Sequence, residues 1–244
     1  MIKPSDFFDL SKVNQPIRGL LDEAEIVWQI IGQLKPYLVA MFPDKADIQG
    51  QVDAGATLIN PESIYIGPGT RVEAGAYIAG PTYIGANCEV RHGAYVRGSV
   101  LTGDNCVLGH ASEFKNVVML SGSQAGHFAY LGDTILGHNV NLGAGTKMAN
   151  LEVLSNIHKK KTGVRPSIKI RIPGYEQPLD TGLAKMGAIL GDEAQTGCNA
   201  VTNPGCLIGP ETLIYPNTSL AKGYYEGKKI IKLRQTVEVV SLNG

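Results

Sequence analysis

The chain is short of aromatic residues, of excess charge and of cysteine. Phe, Trp and Tyr make up 7% of its 244 residues, with a single Trp. The 22 acidic side chains balance 22 basic ones, so no global field argues for a nucleic-acid partner. No apolar run is long enough to span a bilayer. The start, MIKPSDFFDLSKV, lacks the charged-then-apolar layout of a secretory leader. The four cysteines form no Cys-x-x-Cys metal motif and no disulfide framework, and a reducing cytoplasm is the expected compartment.

Glycine, by contrast, is abundant at 30 residues, and it recurs in a rhythm. Aliphatic residues fall at Ile66, Val72, Ile78, Ile84, Val90 and Val96, each six apart. Small residues follow four places on, at Thr70, Ala76, Thr82, Cys88 and Ala94. Gly or Asn lies between them, at Gly69, Gly75, Asn87 and Gly93. A period of six suits neither an amphipathic helix nor a simple alternating strand. It suits short parallel strands joined by tight turns, three to a coil, stacked as a β-helix. Gly and Asn then take the left-handed corners, where most side chains are strained. The register runs on through Leu108, Phe114, Met119, Ala125, Leu131, Leu136 and Leu142. It resumes at Leu190, Thr196, Thr202, Ile208, Ile214 and Leu220. Cys88 and Cys106, one coil apart, are expected to stack at roughly 4.8 Å as two small buried hydrophobes.

Three segments stand outside the rhythm. Residues 1–45 hold helical apolar spacing at Leu20, Leu21, Ala24, Val27, Trp28, Ile31, Leu34 and Leu38, and Pro36 should kink or end that helix. This segment is expected to cap the first coil of a domain spanning residues 46–244. A loop at 152–181 interrupts the coils, with SIKIRI alternating like a strand and PGYEQP reading as a turn. The tail KKIIKLRQTVEVV reads as one or two late strands.

The stretch from Glu113 to Asn150 contains AGHFAYLGD (125–133) and NVNLGAG (139–145). With Arg97, Glu113 and Lys115 upstream and DTGLAKMGAILGD (180–192) downstream, it resembles the acetyltransferase domain of the bifunctional N-acetylglucosamine-1-phosphate uridyltransferase/glucosamine-1-phosphate acetyltransferase family, over roughly residues 50–220. The resemblance implies an all-β fold, a left-handed parallel β-helix of hexapeptide repeats, assembled as a cytoplasmic homotrimer. It implies acetyl-CoA as donor, the amine of an amino-sugar phosphate such as glucosamine 1-phosphate as acceptor, and no metal.

It also implies roles. His127 would be the general base, since an ammonium must lose a proton before its nitrogen attacks a thioester. Arg97, Lys115 and Lys185 would grip the phosphate, with Lys159, Lys160 and Lys161 as alternates for Lys185. Tyr130 would add a hydroxyl donor. Asn150 would position the amine, Asn141 would contact the sugar and Glu113 would orient the acceptor or a nearby water. Ala144, Cys198 and Pro216 would line the acetyl-CoA groove, a backbone amide at Cys198 polarising the thioester oxygen. Pro216 stands where the family usually has Ala, and Leu151 where longer members have Tyr. No counterpart of the uridyltransferase half is present in the sequence, so no nucleotidyl transfer is expected.

Two other enzyme readings and one non-enzymatic reading compete. An acyltransferase acting on a nucleotide-linked amino sugar would share most of these residues. A non-catalytic β-helical subunit would bind a partner through the first helix or the 152–181 loop. Zinc chemistry would need a third histidine beside His92 and His127, near Gly132, where there is none. His92, His110 and His138 read as outward, turn-adjacent residues.

Overall fold

The structure is a computed structural model, and it describes residues 2–42 and 47–242. Its body is a parallel β-helix with three faces. The first face carries Ile48, Ile66, Ile84, Thr102, Met119, Leu136, Leu190, Ile208 and Tyr225 in one inward column. The second is a nine-stranded ladder with Val52, Val72, Val90, Leu108, Ala125, Leu142, Thr196, Ile214 and Ile231 inward. The third stacks Leu58, Ile78, Val96, Phe114, Leu131, Met148, Thr202 and Leu220. Every residue of the six-step register read from the sequence points into this core. Gly69, Gly75, Asn87 and Gly93 all have positive φ, at 73°, 81°, 53° and 73°.

Three threonines stand in the inward columns without leaving a bare hydroxyl, and Thr102 accepts from the Gly85 amide at 3.1 Å. Thr196 pairs with Thr146 at 2.8 Å, and Thr202 donates to the Met148 sulfur at 3.2 Å. Cys88 and Cys106 are free, buried thiols, and the Cys106 amide donates to the Cys88 sulfur at 3.3 Å.

The five-residue steps Phe114–Met119 and Leu131–Leu136 shape the functional region. There the turn between the third and first faces is missing. Single strands, Glu113–Met119 and Tyr130–Leu136, run round the corner instead. The bend is taken up at Asn116 (φ 57°) and Asp133 (φ 49°), residue types that tolerate the left-handed region.

The N-terminal segment corrects the sequence reading in two respects. Its helical stretch is split into α1, Ile17–Asp22, and α2, Gln29–Met41, with Pro36 inside α2. Its described residues pack elsewhere than on the first coil's open end. It lies along the flank of the first face, on the outward residues Leu101, Val118, Ile135, Ile189 and Leu207, all at most 1% exposed. The reason is the composition of that face: strands such as VVM, TIL and AIL are apolar on both sides, so the outer side needs cover. The cover buries Phe7, Leu20, Ile30, Leu34 and Leu38, each worth about 1.5–3 kcal/mol. His138, read as outward, is 6% exposed for the same reason.

The inserted segment adds α3, Ser155–Thr162, which the sequence reading treated as loop. Beyond it Lys169–Ile170 pairs antiparallel with Leu179–Asp180, and Ile168, Ile170 and Ile172 enter the N-terminal core. In the tail, Ile230–Ile231 forms one strand. No helix among the described residues is long and apolar enough to cross a membrane.

Candidate functional site

At the corner between the third and first faces, side chains from successive coils meet. Arg97, Lys115 and Gly132 each follow an inward residue, Val96, Phe114 and Leu131, and so stack in one outward column. Glu113 and Tyr130 pair one step earlier. Arg97 Nη1 contacts Glu113 Oε1 at 2.6 Å, and its guanidinium lies 5.8 Å from the Tyr95 ring centre. Lys115 Nζ contacts Asp133 Oδ1 at 2.8 Å. The Tyr130 hydroxyl donates to Asn150 Oδ1 at 3.3 Å. Glycine at 132 is required by space: a Cβ there would fall 2.5 Å from Asn150 Nδ2 and 2.7 Å from the Tyr130 oxygen.

Burial, helped by the charges of Glu113 and Asp133, raises the Tyr130 pKa, so the phenol keeps its proton as a donor. The Arg97 guanidinium is raised by its bond to Glu113. The four charges Arg97, Glu113, Lys115 and Asp133 sum to zero, so both cations meet a ligand already paired.

Asp133 is the residue that sequence reasoning missed. The residue is 4% exposed, and its carboxylate accepts from Lys115, from Asn116 Nδ2 at 2.9 Å and from Asn150 Nδ2 at 2.5 Å. The available signal was its place three residues before the end of a five-residue step, where Asn116 stands one coil earlier.

A second column runs along the corner between the second and third faces. His92, His110, His127, Ala144, Cys198 and Pro216 each lie two residues past an inward residue of the second face. His92 Nδ1 bonds the Ala74 carbonyl at 2.7 Å and His110 Nδ1 bonds the His92 carbonyl at 2.8 Å. His127 breaks this pattern. The His110 carbonyl is taken by the Phe128 amide at 2.9 Å, and the exposed His127 ring has no hydrogen-bond partner among the described residues. The carbonyls of His127, Ala144 and Cys198 accept from Gly145, Asn199 and Asn217 at 3.0, 2.8 and 2.9 Å. The Cys198 amide has no partner among the described residues, and Pro216 has no amide hydrogen to offer.

The structure therefore gathers Arg97, Glu113, Lys115, Tyr130 and Asn150 in one cluster and His127, Ala144, Cys198 and Pro216 in a neighbouring column. His127 and Tyr130 are three residues apart, so their Cα atoms are at most about 11 Å apart. Asn141 stands on the second face between Gln124 and Gln195, outside both groups. Lys185 is exposed, beside Met186, whose amide donates to the Asn150 carbonyl at 3.0 Å. Lys159, Lys160 and Lys161 occupy the last turn of α3, where cations suit the helix dipole. Among the described residues no three His, Cys, Asp or Glu side chains converge as metal ligands.

Comparison with known proteins bears out the resemblance read from the sequence. Residues 78–170 match the family model described as the GMPPB C-terminal domain. The bifunctional sugar-1-phosphate nucleotidylyltransferase/acetyltransferase of Sulfurisphaera tokodaii is 33% identical over 120 residues, 48% of this chain and 27% of that protein. The bifunctional protein GlmU of Methanococcus maripaludis strain C7 is 34% identical over 106 residues, 43% and 23% of the two chains. That of Neisseria meningitidis is 27% identical over 126 residues, 51% and 21%. The chain thus spans about a quarter of the length of these relatives. Among solved structures, an Arabidopsis UDP-N-acetylglucosamine acyltransferase aligns over 73% of this chain and 70% of its own, with 12% identity and a TM-score of 0.38.

Proposed function

We propose that this chain transfers acetyl from acetyl-CoA to the amine of an amino-sugar phosphate, a hexosamine 1-phosphate such as glucosamine 1-phosphate. The observation that carries the reading is His127, the histidine of its column whose ring is free of backbone bonds, beside a cluster of phosphate-binding residue types.

His127 takes a proton from the substrate ammonium, and the freed nitrogen attacks the thioester carbonyl. The oxyanion that forms is held by a backbone N–H at Cys198. Collapse breaks the C–S bond, the CoA thiolate receives the proton held by the imidazolium, and the extra proton on the acylated nitrogen passes through His127 to solvent. Arg97, Lys115, Tyr130 and Lys185 hold the phosphate, Glu113 orients Arg97, and Ala144, Cys198 and Pro216 line the CoA groove. A homotrimer, with acetyl-CoA running between subunits, fits the exposure of that column, and the free thiols suit a reducing cytoplasm.

The second reading, a nucleotide-linked amino sugar as acceptor, is favoured by one observation: the cluster's charges cancel, which suits the single negative charge on each phosphate of a diphosphate link better than the doubly charged group of a monoester. Thiol release from acetyl-CoA, followed with glucosamine 1-phosphate, related hexosamine phosphates and UDP-linked amino sugars, tests both. Turnover of a 1-phosphate with the highest kcat/KM supports the first. Turnover of the nucleotide-linked sugars alone supports the second. Thiol release with none of them overturns the enzymatic reading.

A further inference from the structure

Asp133 does more than complete the corner. A carboxylate accepts hydrogen bonds and donates none. Its Oδ2 faces Asn150 at 2.5 Å, so Asn150 must turn its NH2 inward and its carbonyl oxygen outward, toward the Tyr130 hydroxyl. The other carboxylate oxygen is occupied by Lys115 and Asn116, so the Asp133 side chain has no freedom to rotate away. Asn116 is itself tied to the Ile31 carbonyl of α2 at 3.1 Å. The backbones are pinned as well: the Gly187 amide donates to the Asp133 carbonyl at 2.8 Å and the Met186 amide to that of Asn150.

We propose that Asp133 is a positioning residue that fixes Asn150 as a hydrogen-bond acceptor toward the substrate amine, while holding the Lys115 charge in check. This rests on the amino-sugar acetyltransferase reading of the same site. An oxygen presented to the ammonium steadies it for deprotonation and then aims the nitrogen lone pair; an NH2 in its place would repel it.

The near-isosteric Asp133→Asn tests the idea. Lys115 and Asn116 hold the introduced oxygen on their side, so the new NH2 faces Asn150 and turns that amide over. The expected kcat falls roughly 10- to 100-fold, the worth of one charge-assisted hydrogen bond. The KM for the sugar phosphate should stay level or fall, because Lys115 is no longer neutralised. The double variant Asp133→Asn/Asn150→Asp restores an acceptor toward the amine and should recover most of the lost kcat. A merely structural role would raise KM as kcat falls and would gain nothing from the second change. Wild-type kcat in Asp133→Asn, or a loss shared with KM and not rescued, overturns the proposal.

A measurement on the unliganded protein separates this idea from the activity it rests on. The Asn150 side-chain NH2 resonances, identified by their loss in Asn150→Ser, should exchange with solvent at least about tenfold more slowly than those of the exposed Asn199. Equal exchange in the wild type overturns the orientation whatever the enzyme acetylates. Slow exchange without acetylation of any amino sugar leaves the Asn150 geometry standing and removes the proposed function.

Discussion

The backbone carbonyl of His110 accepts the amide of Phe128 and leaves the ring of His127 unbound among the described residues, whereas the rings of His92 and His110 are each tied to the coil before. The three histidines share a column and differ in what their nitrogens are free to do. His127→Ala should lower kcat about 10²- to 10⁴-fold with CoA affinity unchanged, the usual worth of a positioned base. His110→Ala, with its nitrogen committed to a carbonyl, should keep kcat within a few-fold. Steady-state kinetics beside calorimetric CoA titration checks both, and equal losses in the two variants would contradict the assignment.

Arg97 and Lys115 sit in similar ion pairs with unequal partners. Glu113 is 32% exposed as a side chain and Asp133 only 5%. Either change to Ala should raise the acceptor KM roughly 10- to 100-fold with the acetyl-CoA KM unaltered. Only Lys115→Ala leaves a buried carboxylate short of a partner, at a cost of about 1–3 kcal/mol. The exposed pair should cost about 0–1 kcal/mol. Thermal melts should therefore rank Lys115→Ala below Arg97→Ala.

Gly132→Ala puts a methyl into space that Asn150 and the Tyr130 hydroxyl now fill. Both must move, at an expected cost of about 1–3 kcal/mol in stability, as for an overpacked core. Acceptor turnover should be lost in a protein whose circular dichroism and CoA binding are retained.

Thiol chemistry should single out Cys198. It is exposed, while Cys88, Cys106 and Cys206 are buried. Burial pushes the Cys206 thiol from 9.0 up to about 12, so it stays protonated and inert in the native state. Aromatic disulfide reagents at pH 8 should label one thiol quickly and all four only after unfolding. Because the unfolded chain loses the Cys206 proton first, this thiol's contribution to stability should decline as pH rises from about 9 toward 12. Cys198→Ser should keep activity, since the role assigned at that position belongs to the backbone.

The register was legible in the sequence because each coil repeats a local rule: aliphatic inward, small four places on, Gly or Asn at the corner. Even the five-residue steps at Phe114–Met119 and Leu131–Leu136 could be counted. The seat of the N-terminal segment was not read, although Leu101, Val118 and Ile135 gave the signal by making both sides of the first-face strands apolar. The helix Ser155–Thr162 lacks an apolar stripe, its one aliphatic residue Ile157 being more than half exposed, so periodicity could not announce it. Within the site, motif spacing named Arg97, Lys115, Tyr130 and Asn150, but pairing is a matter of contact between coils. Neither the ties of Asp133 to three side chains nor the cancelling of the four charges has a counterpart in the order of residues along the chain.

A stack of coils is close to a one-dimensional object, in which each turn leans only on its neighbours and either end can fray by itself. The N-terminal segment changes that, because its Phe7, Leu20, Ile30 and Leu34 join one apolar cluster with Leu101, Val118, Ile135, Ile189 and Leu207, five turns of the helix, and with the inserted strand residue Ile170. Asp192 adds a polar stitch, accepting from the Asp9 amide and the His138 amide at 2.7 Å each. A seam sewn lengthwise across the turns forces them to melt together. The turns so joined include those that carry Lys115, Asp133 and Asn150, so the site inherits the resistance to fraying that an unseamed solenoid would keep only far from its ends.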